Sequence, residues 1–345
     1  MRHRFLVSVG ALAIAIVVVS LATMPVAGQS PAPTKGTDGK GTKVYTQPRT
    51  PDGQPDLQGF WTNSTYTPLE RPEKVTKEFY TPEEGAAAEK LAADRETEQT
   101  TPGTTADVHY DFTQFGLDRS QSTFARNLRT SLIVDPADGK IPALTAEGQK
   151  RAADRAAARR AQGGQYDAVQ NMPIGSRCII MAGAGPPMMN AGYNSNYQIV
   201  QGPGYVMILT EMIHDARIIP LDGRPQPPAG ARQWTGISRG RWDGNTLVVE
   251  TTNFNGKNPF RGGSENMKVT ERFTRTSDDS IIYRFTIEDE STWAKPWTAE
   301  MPMKKTQGPI FEFACHETNY GIANILAGAR EDEKKAAAQA ATGSK

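Results

Sequence analysis

From Tyr193 onward the chain alternates short apolar runs with turn residues, and no other feature restricts its fold so strongly. Tyr197–Val200 and Tyr205–Glu211 flank Gln201-Gly202-Pro203-Gly204, and Ala216–Pro220 ends at Asp222-Gly223. Gly236–Trp242 and Thr246–Phe254 flank Asp243-Gly244-Asn245, a strong hairpin signal because such residues accept positive φ. Met267–Arg275 and Ser280–Glu288 flank Ser277-Asp278-Asp279; Trp297–Lys305 and Pro309–Glu317 flank Thr306-Gln307-Gly308. Sequential hairpins predict an up-and-down antiparallel meander of about seven or eight strands. Closing it into a barrel or strongly curved sheet leaves few exposed edges. The expected class is mainly β, α+β overall, with a helical and irregular N-terminal part.

Alternation assigns the inner face. Ile281, Tyr283, Phe285 and Ile287 share one side, as do Trp297, Ala299, Met301 and Met303. Met267, Val269 and Phe273 share theirs with Glu271, while Phe311, Phe313 and Cys315 share theirs with Glu317. Glu271 and Glu317 are therefore expected to point inward, with Glu250 joining them beside Val248 and Phe254. A barrel lined by aromatics with a few interior carboxylates is the expected small-molecule cavity.

The N-terminus bears on compartment. Arg2 and Arg4 precede an apolar run from Phe5 to about Met24, and Val26-Ala27-Gly28 offers small residues for cleavage. Residues 1–28 read as an export signal, with an uncleaved anchor as the alternative. Removing them takes Arg2 and Arg4 from 39 basic side chains, leaving 37 against 38 acidic ones. That balance gives no basic excess for nucleic acid or an anionic membrane. Residues 29–55, rich in Ser, Thr, Gly, Pro and Lys, read as a disordered linker. Residues 56–180 form the expected N-terminal region packing on a barrel of 181–320, and 321–345 a short helix with a charged tail. Thr81-Pro82-Glu83-Glu84 carries the cap, first-turn and capping-box signals of a helix. A second helix begins near Thr145. Its Lys150, Arg151, Arg155, Arg159 and Arg160 form a basic cluster, either a contact surface or a solvated face.

Cys178 and Cys315 are the two cysteines of the chain. In an oxidising compartment they most simply pair, closing a long loop for about 5 kcal/mol in the chain-entropy model. Two free thiols, one a nucleophile or metal ligand, is the rival reading.

Ionisable residues interrupt the apolar stretch Tyr205–Gly223: Glu211, His214, Asp215 and Arg217. Such groups must be paired, exposed at a kink or put to use. His214 as general base with Glu271 or Glu317 as acid is one chemistry, requiring a bulge that turns the histidine inward. A salt-bridged corner is the other. Arg217 or Arg272 can hold an anionic group, and Trp293 and Trp297 can stack on a ring or pack a barrel rim. Trp242, Glu250 and Tyr320 complete the candidate ligand contacts. No cofactor is expected; His109, His214 and His316 are the histidines beyond His3, and a metal or haem on His214 or His316 is the alternative.

Gly59-Phe60-Trp61 and Gly240-Arg241-Trp242 are similar to the G-x-W opening of lipocalin-type barrels, in which that Trp closes the barrel floor. More broadly, the chain resembles an uncharacterised family of exported bacterial proteins. The resemblance rests on Pro55–Trp61, Glu211–Arg224, Arg239–Phe254 and Ala314–Tyr320. It implies a periplasmic or secreted barrel and carries no mechanism. The leading function is binding of a partly apolar organic molecule, without nucleic acid, or membrane once the signal is removed. A periplasmic lyase, isomerase or hydrolase using His and carboxylate chemistry is one alternative; an envelope interaction module with no ligand cavity is another.

Overall fold

The computed structural model describes residues 45–96, 124–181, 183–190, 195–258, 260–317 and 319–343. The expected export signal, residues 29–44 of the expected linker and His109 lie outside them. Within that linker, residues 45–55 close a turn in which Arg49 bridges to Pro55, so order begins before Pro55.

The meander is present. Strands β1 (Gly59–Thr62), β2 (Ile133–Asp135), β3 (Asn196–Gly202), β4 (Tyr205–Thr210) and β5 (Ala216–Pro220) are followed by β6 (Ile237–Asp243), β7 (Thr246–Thr252), β8 (Lys268–Ser277), β9 (Ser280–Glu288) and β10 (Trp297–Lys305). They form one antiparallel sheet in the order β5-β4-β3-β1-β10-β9-β8-β7-β6, with β2 added on β10, curled into a nearly closed barrel. Every pair expected from a turn dipeptide up to Glu288 is a hairpin.

Two features depart from the expected order. First, β1 is inserted between β3 and β10, so the region before 181 is part of the barrel wall rather than a cover. Second, Pro309–Glu317 is not a strand, and Cys315–Glu317 form a turn. Strand β1 already occupies the edge of β10 that this segment needed, and an extended run without a ladder partner leaves its backbone unsatisfied. The barrel gap therefore falls between β5 and β6, which are consecutive in sequence. Gly240 lets these edges converge, because a Cβ there would lie 2.8 Å from Ile219 Cγ2.

The interior is packed. Trp61, Ile199, Ile208, Val249, Phe273, Tyr283, Phe285, Trp297 and Met301 are essentially without solvent exposure. Tyr283 and Phe285 lie with ring centroids 5.8 Å apart, within the range where offset aromatics attract. At the floor, the Arg275 guanidinium sits 5.6 Å from the centre of the Trp61 ring and donates to the carbonyls of Asp56 and Asp278.

Helix α1 (Pro82–Glu96) starts at the capping box: Glu84 N–H donates to Thr81 Oγ1, and Thr81 N–H to Glu84 Oε2. Helix α2 (Ala146–Ala161) is capped by Thr145, whose Oγ1 accepts from Gly148 N–H at 3.0 Å. Gly148 presses on the barrel loop, where a Cβ would meet Thr292 O at 2.6 Å. Helix α3 (Tyr320–Gly343) runs 24 residues, longer than the short helix and charged tail expected of 321–345. Its alanines and the pairs Arg330–Glu333, Lys334–Glu331 and Lys335–Asp332 extend it. Among the described residues no helix is long and apolar enough to cross a membrane.

Candidate functional site

The stretch that interrupts Tyr205–Gly223 is a hairpin loop, not a bulged strand. Thr210 N–H donates to Asp215 O and His214 N–H to Glu211 O, while Ile213 and His214 take φ of 67° and 59°. Positive φ at a β-branched residue marks a tight corner. Strand alternation therefore fails across it. Glu211 is buried and accepts from Asn196 Nδ2, whereas His214 and Asp215 are exposed. Pairing resumes with Leu209 opposite Ala216, and the next pair sets Arg217 opposite buried Ile208, on the inner face.

Inside the barrel Arg217 meets Glu271. Arg217 Nη1 to Glu271 Oε2 is 2.7 Å and Nη2 to Oε1 is 3.2 Å, a two-pronged pair reaching from edge strand β5 to β8 across the barrel interior. Tyr283 Oη donates to Glu271 Oε1 at 2.8 Å and accepts from Met188 N–H at 2.9 Å. Tyr197 Oη donates to Gly183 O and accepts from Asn63 Nδ2. Burial, then the negative charge of Glu271, drives the Tyr283 hydroxyl pKa well up; burial raises that of Tyr197. Both phenols are thus kept protonated. Through them the loop 183–190 is fastened over the barrel mouth, with Met188 buried beneath it.

The predicted acid–base set does not assemble. Glu271 is fully buried against Arg217, His214 is exposed on the β4–β5 loop, and Glu317 is exposed in the C-terminal turn rather than inward. Glu250 points outward to Arg241 at 2.9 Å, because Leu247, Val249 and Thr251 take the inner face of β7. Arg272 also faces out, paired with Asp243. Trp293 and Trp297 are core residues in edge-to-face contact, Trp242 is half-buried against the core, and Tyr320 is exposed. Among the described residues no cluster of three His, Cys, Asp or Glu can hold a metal, and His214 and His316 are each exposed.

A cavity lies at the barrel mouth. It measures about 800 Å³ and is walled by Ile180, Met181, Met189, Trp234, Phe254, Phe260 and Met267, together with Pro173–Ser176 and the 183–187 loop. Its size is within the usual range for small-molecule sites. Among the described lining residues, Arg261 is the one ionisable side chain. Phe260 stacks on Trp297 at 6.1 Å, so the predicted rim tryptophan supports the wall from behind instead of touching the cavity.

Each wall segment is pinned. Cys178 and Cys315 are disulfide-bonded, tying the 173–181 wall to the C-terminal segment, a bond suited to an oxidising environment. Asn319 Nδ2 adds a bond to Ser176 O. Arg232 Nη1 donates to Phe254 O and Glu265 O, and Asn253 Nδ2 to Pro228 O and Ala231 O. Asp289 holds the Phe260 loop by accepting from Ser264 N–H, Ser264 Oγ and Thr292 Oγ1. Burial alone raises the Asp289 pKa, but these donors outweigh it and hold the carboxyl below its usual range.

A smaller cavity, about 380 Å³, opens on the gap between β5 and β6 and is lined in part by the predicted ligand contacts Asp215 and Arg217. It adjoins the mouth at Gly185 and Thr235. No family model, curated protein or solved structure matches this chain.

Proposed function

We propose that this is an exported, periplasmic or secreted β-barrel protein that binds a partly apolar organic molecule at the barrel mouth. The observation that carries the reading is the wall of the 800 Å³ cavity: aromatic and methionine side chains, with Arg261 the one ionisable group among its described lining. Methionines adapt to ligand shape and aromatics supply contact area, a composition suited to binding. The acid–base alternative lacks a carboxylate partner for His214 among the described residues, and an envelope module has no use for a pinned cavity. The N-terminal pattern Arg2 to Gly28 and the disulfide support the compartment, and the nearly closed antiparallel barrel supports the class.

The test is titration with aminoanthracene, a neutral fluorophore, against the wild type and the variants Trp234→Ala and Phe260→Ala. Saturable binding that weakens about tenfold in the variants, worth about 1.4 kcal/mol, is expected. No saturable binding, or binding indifferent to both substitutions, would overturn the reading.

A further inference from the structure

The second half of α2 forms one side of a further cleft, of about 930 Å³, which meets the mouth cavity at Pro173, Ile174 and Asn258. Arg155, Arg159, Arg160 and Lys257 line it, and its described lining contains no carboxylate. The acidic residues of α2 are engaged elsewhere: Glu147 pairs with Arg151 and Asp154 with Lys150. Arg159, Arg160 and Lys257 have no carboxylate partner among the described residues. Arg155 is fixed by donating to the carbonyls of Gly262 and Gly263, at the end of the loop that carries Phe260 and Arg261. Its desolvation, followed by the like charges of Arg151 and Arg159 and partly offset by Asp289, lowers its pKa.

A helix C-terminus favours cations, which accounts for Arg159 and Arg160 being tolerated. It does not account for Lys257, which comes from another segment, or for a concave wall. A basic concavity joined to an apolar one is complementary to a molecule with an anionic group on an apolar body.

We infer that the ligand is an anionic amphiphile, its apolar body in the mouth cavity and its phosphate, carboxylate or sulfonate against Arg159, Arg160 and Lys257. The inference rests on the binding reading above and adds the ligand class. Guanidinium groups suit the anion because they give paired, charge-assisted hydrogen bonds.

The test compares decyl phosphate with decanol, by calorimetry, on the full chain and on an Arg159→Gln/Arg160→Gln/Lys257→Gln variant. These three side chains are exposed, so the variant retains its fold. Decyl phosphate should bind at least about tenfold tighter than decanol, with the advantage lost in the variant and reduced by salt. Inorganic phosphate should displace decyl phosphate and not decanol. Equal binding of the two ligands, or an advantage kept in the variant, would overturn the inference and leave the mouth cavity standing. Binding of neither would overturn both. Capture on anionic phospholipid vesicles without binding of free decyl phosphate would replace the amphiphile with a membrane surface and overturn the inference.

Discussion

The barrel and the collar of loops at its mouth are built on different principles. Barrel strands are held by backbone ladders and a buried apolar interior, which the ion pair Arg217–Glu271 crosses from β5 to β8. The collar has almost no ladder. Its segments are held by short-range backbone bonds in turns, by side chains donating to or accepting from backbone, and by one disulfide. Stability concentrates where burial is cooperative, while shape that must suit a ligand is left to individually pinned loops. The lesson is that the barrel's buried ion pair serves architecture, and the proposed ligand site lies above it.

The largest expected effect belongs to the barrel. Arg217→Ala leaves the Glu271 carboxylate buried without its partner and should cost about 3–5 kcal/mol in urea unfolding. The double change Arg217→Met/Glu271→Met should recover most of that loss and leave aminoanthracene affinity within about twofold, as Arg217 lies outside the mouth cavity. A large affinity loss in the double variant would place ligand inside the barrel and break the comparison.

A somewhat smaller effect belongs to the collar staple. Cys178→Ser/Cys315→Ser should lower stability by about 2–5 kcal/mol and, unlike the barrel pair, should also weaken ligand binding, since Cys178 sits in the cavity wall segment. Loss of stability with unchanged affinity would show the wall to be held without the bond.

The smallest effect is in pH. The Asp289 pKa is depressed by its donors, so its stabilisation is present above the usual carboxylate range and disappears as pH falls through the depressed folded value. Asp289→Asn should lose about 1–2 kcal/mol near neutrality and show a flatter acid limb in thermal unfolding. An unchanged acid limb would remove Asp289 from the collar's support.

The same division explains what the sequence discloses. Hairpins β3–β4, β6–β7 and β8–β9 are legible because turn chemistry and period-two alternation agree, and alternation alone placed Glu271 inside. Arg217 and His214 are not legible by alternation, because a corner with positive φ at Ile213 resets the register between them. The strand expected at Pro309–Glu317 has the right pattern but no free edge, which depends on the long-range insertion of β1. The collar is the least legible part. Trp234, Phe254, Phe260 and Met189 converge from separate loops without a shared period; the nearest signal was Met188-Met189 after Pro186-Pro187 in a loop rich in Gly and Ala.

Hydrogen–deuterium exchange with and without saturating aminoanthracene tests the central claim most directly, that recognition belongs to the collar. Ligand should slow exchange in residues 173–190, 233–236 and 254–263 and leave β8 and β9 unchanged. Slowed exchange confined to β8 and β9 around Glu271 and Tyr283, with the collar unaffected, would contradict it.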